Sequence, residues 1–272
     1  MASIAFIGGG NMARCLIGGL IARGTPGATI AVSEPQAALR EALARDFGVN
    51  AGEDNAAAAT GASTVVLAVK PQVMREVCLG LAPAIAGRAP TIVSIAAGVR
   101  LAQFERWLGA GVSVVRAMPN TPALIGAGIT GLVANDAAGP AARVAAESVL
   151  AAAGPAVWID DEALMDAVTA VSGSGPAYFF LLMEAMEQAA VREGLPAAAA
   201  RQLVLHTALG AARMAAQGTE TPSRLRERVT SPGGTTQAAL EAFAAGGFTA
   251  LVETAVSRAT ARGRELSDLL GD

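Results

Sequence analysis

Residues 3–13 read SIAFIGGGNMA, and this stretch decides the fold. Ser3–Ile7 is a short apolar run, and Gly8-Gly9-Gly10 stops it. A helical pattern follows at once, with Met12, Leu16, Ile17, Leu20 and Ile21 on one face. A strand that turns into a helix through G-x-G-x-x-A, here Gly8, Gly10 and Ala13, has a specific physical use. The first glycine permits a tight turn, the second lets backbone approach a pyrophosphate, and the small third residue packs the helix close to the sheet. The helix start then offers N–H donors and the positive end of its dipole to phosphate. The strand–turn–helix context turns a weak motif into a dinucleotide site.

Working outward, strand-like runs recur at Thr29–Ser33, Thr64–Val69, Thr91–Ile95 and Val112–Met118. Helical patterns at Pro35–Phe47 and Pro71–Leu81 lie between them. Alternation of this kind predicts βαβ units and a parallel sheet. The strands are almost wholly apolar, as a sheet covered on both faces requires. The second strand ends in Ser33-Glu34, where the adenosine ribose is read. An acid at Glu34 suits a free 2′-hydroxyl and repels a 2′-phosphate, whereas Ser33, Gln36 and Arg40 suit the phosphate. An acid there also simply suits the start of the next helix. NAD and NADP both stay open at this point.

Past about Asp160 strand signals stop. Helices are predicted over Glu162–Ala170, Pro176–Glu193, Pro196–Gln217, Thr235–Ala245 and Ala250–Leu270. The expected division is therefore an α/β dinucleotide-binding domain over 1–160 and an all-α domain over 161–272. One interruption in the helical half is odd: Ser231-Pro232-Gly233-Gly234-Thr235-Thr236. By composition alone SPGGTT is a connector.

Composition removes several classes of function. The 272 residues are 53% hydrophobic and only 16% charged, which excludes disorder. Mean hydropathy is +0.45, yet no apolar run reaches the ~18 residues of a membrane span. The opening MASIAFIGGG has no basic residue before its apolar stretch, so no export signal is expected. The apolar excess is largely alanine and points to a large subunit interface. A net charge of −3, with both signs dispersed, leaves no footprint for nucleic acid. Cys15 and Cys78 match no metal or redox spacing, so no metal is expected and the cytoplasm is. The single histidine, His206, lies inside a helical pattern and is expected to be packed. Tyr178 reads as core or interface rather than as an acid.

The chemistry follows from what is missing. No His/Asp or Tyr/Lys proton relay stands beside the nucleotide site. Reducing a ketone leaves an alkoxide that needs a proton or charge stabilisation. A protonated imine already carries the charge that attracts hydride, and needs mainly alignment. A loop of free amides and hydroxyls such as SPGGTT suits a small carboxylate and a ring nitrogen.

The segments FIGGGNMA (6–13), AVKP (68–71), SIAAGV (94–99), RAMPNTPA (116–123), SGSGPAY (172–178) and SPGGTT (231–236) occur in one order and spacing. Together they closely resemble the pyrroline-5-carboxylate reductases, over nearly the whole chain. The resemblance implies reduction of Δ1-pyrroline-5-carboxylate to L-proline with NADPH or NADH. It implies a Rossmann-type N-terminal domain with an all-α C-terminal dimerisation domain, interlocked homodimers that often assemble further into decamers, and an active site between the Rossmann domain and helical segments of the dimer. It also implies residue roles. Ile7, Gly8, Gly9, Gly10, Asn11, Met12 and Ala13 would hold the pyrophosphate. Ser33, Glu34 and Asn55 would meet the adenosine end. Ala68, Val69, Lys70, Pro71, Ala96, Ala97 and Gly98 would line the cofactor, with Met118 and Asn120 near the nicotinamide. Ser231, Gly233, Gly234 and Thr235 would hold the substrate carboxylate, and Thr236 would be the catalytic group facing the ring nitrogen. Glu162 would lie near the substrate entrance and favour a cationic imine. Two alternatives remain: another reductase with a helical second domain, or a cofactor-binding regulator without turnover. Hydroxyacid dehydrogenases use a lysine in that domain, and here none follows Lys70.

Overall fold

The computed structural model describes residues 4–270. Ser3, expected to begin the first strand, lies outside the described residues. Two compact units emerge. One comprises the residues up to Ser174 together with those from Arg258 onward, and the other is Gly175–Ser257.

In the first unit, β1 (Ile4–Ile7) leads into α1 (Asn11–Ala22), β2 (Ile30–Ser33) and α2 (Ala37–Phe47). Next come β3 (Asn50–Gly52), α3 (Asn55–Ala59), β4 (Thr64–Leu67), α4 (Pro71–Ile85), β5 (Thr91–Ser94) and α5 (Leu101–Leu108). β6 (Val114–Met118), β7 (Thr130–Ala134), α6 (Pro140–Leu150) and β8 (Ala156–Trp158) complete an eight-stranded sheet. Its order is β3-β2-β1-β4-β5-β6-β7-β8, so strand order reverses between β1 and β4. In an open α/β sheet, that reversal places the ligand crevice at the carboxyl ends of these two strands.

Alternation along each strand builds two cores. Phe6, Val32, Val66 and Val93 face Leu16, Ile17, Leu20 and Leu43 on one side. Ala5, Ile7, Val65, Leu67 and Ile92 face Met74, Cys78, Leu81 and Phe104 on the other. Burial on both faces explains the uninterrupted apolar strands. Burial also pushes the Cys78 thiol up to about 12 and raises that of Cys15, and neither is in a disulfide.

The parallel expectation holds for β1 to β6 but not for β7, which runs antiparallel to β6 with Met118 opposite Gly131. The connection between them contains only a 3₁₀ turn, Thr121–Ile125. A parallel return needs a crossover of roughly a dozen residues or more, usually a helix, so the chain folds straight back. α6 supplies such a crossover, and β8 is parallel to β7.

The sheet unit extends past the last strand. Met165, in α7 (Met165–Val168), is fully buried, and a π-turn at Thr169–Gly173 follows it. The end of the last helix, α12 (Phe248–Leu269), returns to the same unit. Arg100 pairs with Asp268 at 2.5 Å, and the Ser267 hydroxyl donates to Asp166 at 3.2 Å.

The second unit begins with α8 (Gly175–Arg192) and α9 (Ala197–Gln217), joined through Gly194 at φ +97. α10 (Pro222–Arg228) starts with a proline at its first position, and the Thr221 side chain accepts the Arg224 N–H at 3.3 Å. α11 (Thr235–Ala245) follows the SPGGTT loop, and Gly246-Gly247 breaks it from α12. Large apolar side chains are exposed in the single chain, among them Phe179, Phe180, Leu181 and Leu251. His206 is exposed on α9 rather than packed, because the neighbouring Val204 takes the inward face.

Candidate active site

The glycine turn sits at the reversal of strand order. The Gly8 N–H donates to the Ser33 carbonyl at 2.8 Å, and the Ala68 N–H donates to the Ile7 carbonyl at 2.8 Å. Gly8 adopts φ +99, and a Cβ there would lie 2.8 Å from the Ala68 carbonyl oxygen. Conformation and space therefore both require glycine. At Gly10, by contrast, a Cβ would meet nothing within 4 Å. That face is open, and α1 begins there with no side-chain cap and no acid in its first turn. Uncapped N–H groups beside open backbone fit a pyrophosphate. Asn11 is exposed and Met12 half-buried at this helix start, while Ile7 and Ala13 are buried beneath it.

Two of the residues expected to meet adenosine, Ser33 and Asn55, come together. The Ser33 hydroxyl lies 2.7 Å from Asn55 Oδ1 and 2.9 Å from the Glu53 carbonyl, two acceptors that share its one proton. Asp54 caps α3, its carboxylate accepting the Ala56 and Ala57 N–H groups. That cap holds Asn55 at the first helical position. Glu34 turns toward backbone on two sides, the glycine turn and the start of α2. Its Oε2 accepts the Gly9 N–H at 2.9 Å and its Oε1 accepts the Gln36 N–H at 2.9 Å.

Ala68, Val69, exposed Lys70 and Pro71 follow β4, and Pro71 opens α4. Ala96, Ala97 and Gly98 follow β5, with Gly98 at φ +81. Pro71, Ala97 and Gly98 come together around a cavity of about 340 Å³, with Gln72, Asp166 and Leu266. Met118 closes against the π-turn, where a Cβ on Gly173 would lie 2.5 Å from Met118 Cε. Asn120 acts as a strut: its Oδ1 accepts the Ile129 N–H at 3.0 Å, and its Nδ2 donates to the Ser172 carbonyl at 3.2 Å.

Glu162 has partners that the sequence did not suggest. Its Oε1 accepts the Leu101 N–H at 2.8 Å and Arg116 Nη1 at 2.9 Å. Arg116 is only 4% exposed. The carboxylate therefore neutralises a buried guanidinium and caps α5, both of which draw it away from solvent.

In the second unit, the SPGGTT loop is a compact turn. The Gly234 N–H donates to the Ser231 carbonyl at 3.0 Å, and the Gly233 N–H to Gln237 Oε1 at 2.7 Å. Gly233 takes φ +71. Those two amides are engaged within the loop. The donors left at the helix start are the N–H groups of Thr235, Thr236 and Gln237, since α11 has no side-chain cap and its first internal bond runs from Ala238 to Gly234. The Thr236 side chain is half-buried beside them. Gln237, which the sequence reading passed over, fixes this turn. Its only signal is an amide side chain four residues after a left-handed glycine. A hollow of about 800 Å³ in this unit is lined by Thr230, Gln237, Arg226, Glu241, Leu182 and Phe243 among others.

Comparison with known proteins agrees over both units. Residues 162–266 match the family model for pyrroline-5-carboxylate reductase dimerisation, and residues 3–98 match that for NADP oxidoreductase, coenzyme F420-dependent. A pyrroline-5-carboxylate reductase of Pseudomonas aeruginosa is 54% identical, covering 98% of both chains. The structure of the enzyme from Coxiella burnetii is 41% identical with a TM-score of 0.95, over 97% of this chain and 98% of that one. A pyrroline carboxylate reductase of Plasmodium falciparum, solved with NADP bound, is 26% identical with a TM-score of 0.84, over 98% of each chain.

Proposed function

The chain belongs to the pyrroline-5-carboxylate reductase family, and we infer that it reduces Δ1-pyrroline-5-carboxylate to L-proline, the last step of proline biosynthesis. NADPH or NADH, when bound, supplies the hydride. The observation that carries the reading is the SPGGTT loop, with uncapped amides and a hydroxyl at one helix start in the region matched by the dimerisation model.

The chain's own residues do little acid–base work. Gly8–Ala13 hold the pyrophosphate on open backbone and the α1 dipole. Ser33 and Asn55 form the adenosine rim, and Ala68–Pro71 with Ala96–Gly98 line the path toward the nicotinamide end. Met118 packs there, and Asn120 keeps its loop in place. The Thr235 and Thr236 N–H groups take the substrate carboxylate, which the helix dipole favours. Gly233 and Gly234 shape the turn, and Ser231 closes it. Thr236 Oγ1 faces the ring nitrogen and accepts its N–H, orienting a protonated imine. Hydride arriving at carbon then leaves a neutral secondary amine, so no proton donor is needed in that step. Glu162 supports this arrangement by fixing Arg116.

We take the working assembly to be a homodimer, with dimers gathering into a decamer in the cytoplasm. Among the described residues no single helix is long and apolar enough to cross a membrane. Light scattering of the purified protein measures the assembly directly. The decisive test of function follows loss of nicotinamide absorbance with pyrroline-5-carboxylate, using NADH and NADPH in parallel. Turnover is expected. Folded protein that binds cofactor but turns over no cyclic imine would favour a regulator instead.

A further inference from the structure

An acid at the end of the second strand ordinarily grips the ribose 2′-hydroxyl and so selects NAD. The geometry at Glu34 is different. Both carboxylate oxygens accept backbone N–H groups, from Gly9 and from Gln36, each at 2.9 Å. The residue is 5% exposed. It lies directly beneath the glycine turn: a Cβ on Gly9 would sit 3.1 Å from Glu34 Cβ. The surrounding segment is clamped as well. Arg40 donates to the Glu34 and Pro35 carbonyls at 2.8 and 2.7 Å, and pairs with Glu53.

An ionised carboxylate is an acceptor only, and burying one is costly unless its oxygens are satisfied. Here they are satisfied by the loop itself. The charge-assisted bond to the Gly9 N–H fixes the Gly8–Gly9 peptide, at the centre of the turn that Gly8 and Gly10 shape. On the cofactor reading above, we propose that Glu34 is a positioning residue: it holds the dinucleotide loop from beneath and does not discriminate between NADH and NADPH.

The test compares Glu34→Ala and Glu34→Gln with the unaltered protein. Dissociation constants for NADH and NADPH are measured by nucleotide fluorescence. Amide hydrogen exchange across residues 8–12 is measured in cofactor-free protein. In Glu34→Ala both dissociation constants are expected to rise about tenfold, the scale of one lost charge-assisted bond, with their ratio changing less than about threefold. KM for both cofactors should rise far more than kcat falls. Exchange at Gly9 should quicken without any ligand. Glu34→Gln keeps one acceptor oxygen, should fall between, and carries the test if the alanine variant does not fold. Weaker NADH binding with unchanged or tighter NADPH binding would make Glu34 a ribose reader and overturn the proposal. Unchanged exchange and unchanged affinities would overturn it too. Unaltered protein that binds neither nucleotide would instead sink the cofactor reading on which the proposal stands.

Discussion

The two glycine loops, Gly8–Ala13 and Ser231–Thr236, each open a helix that has no side-chain cap. They are built in opposite ways. The first is wedged into a sheet: Gly8 has no room for a Cβ, and the Gly9 N–H is held by a buried carboxylate. The second is held by its own atoms: Gly234 bonds back to Ser231, Gly233 to Gln237, and a Cβ on Gly233 would meet nothing within 4 Å. A long cofactor needs one rigid reference point, which the sheet provides. A small ring acid can be held by one helical turn and a hydroxyl. Rigidity imposed by tertiary packing and rigidity imposed by local hydrogen bonds should respond differently to the same substitution.

The largest expected effect is that of Gly8→Ala. Positive φ and a 2.8 Å approach to the Ala68 carbonyl act together. A loss of about 3 kcal/mol in stability is expected, with NADH affinity down by about 100-fold or more. Thermal melting and nucleotide titration check the two. A variant that melts and binds normally would mean that the first loop is no more constrained than the second. Next is Thr236→Ala, which removes one hydroxyl and leaves the turn intact. Its kcat/KM for the imine is expected to fall about 10- to 100-fold, the scale of one transition-state hydrogen bond, with the NADH dissociation constant unmoved. Unchanged kinetics would take Thr236 out of the mechanism.

The same contrast explains how much could be read in advance. The first loop was legible because its geometry follows from residue type: a strand, two glycines at fixed spacing and a helix pattern. The apolar strands β4, β5 and β6 and the helix Thr235–Ala245 were legible for the same reason. β3, at the sheet edge, spans three residues and shows too short a run. β7 contains Gly131, and its neighbour β8 is only three residues long, so neither shows a period. α10 is short and highly charged. The SPGGTT loop has the composition of any connector, and only its order among the other motifs marked it. The partners of Glu34 and Glu162 were not legible at all. A carboxylate's direction depends on which N–H or guanidinium folding brings near, as with Gly9 across 25 positions of sequence and Arg116 across 46.

Gly233→Ala sharpens the comparison. Its φ of +71 lies at the edge of the left-handed region that alanine reaches at a cost, unlike the +99 of Gly8, and no atom stands in the way. Only the left-handed backbone cost remains, about 1–2 kcal/mol. KM for the imine is expected to rise several-fold while NADH binding stays constant. A cost equal to that of Gly8→Ala would show that local strain, not packing, dominates both loops.

The smallest effect concerns how the first loop's helix is anchored. Arg14, one turn into α1, pairs with Asp46 on α2 and stacks over the Phe47 ring at 4.8 Å. The Arg14 guanidinium, with Arg45 beside it, holds the Asp46 carboxyl below its ordinary value of 3.8. A carboxyl lowered in the folded state stabilises fully above its unfolded pKa, and that stabilisation is lost as pH falls through the folded one. The pair is solvent-exposed and screened by salt, so its contribution is small. Asp46→Asn should therefore change NADH affinity at neutral pH by less than about twofold and shift the acid limb of the melting curve only slightly. A larger loss of NADH affinity would mean that the pyrophosphate turn depends on the outer tie of α1 as well as on the sheet beneath it. The tertiary wedge would then extend one helical turn further than Gly8 and Glu34.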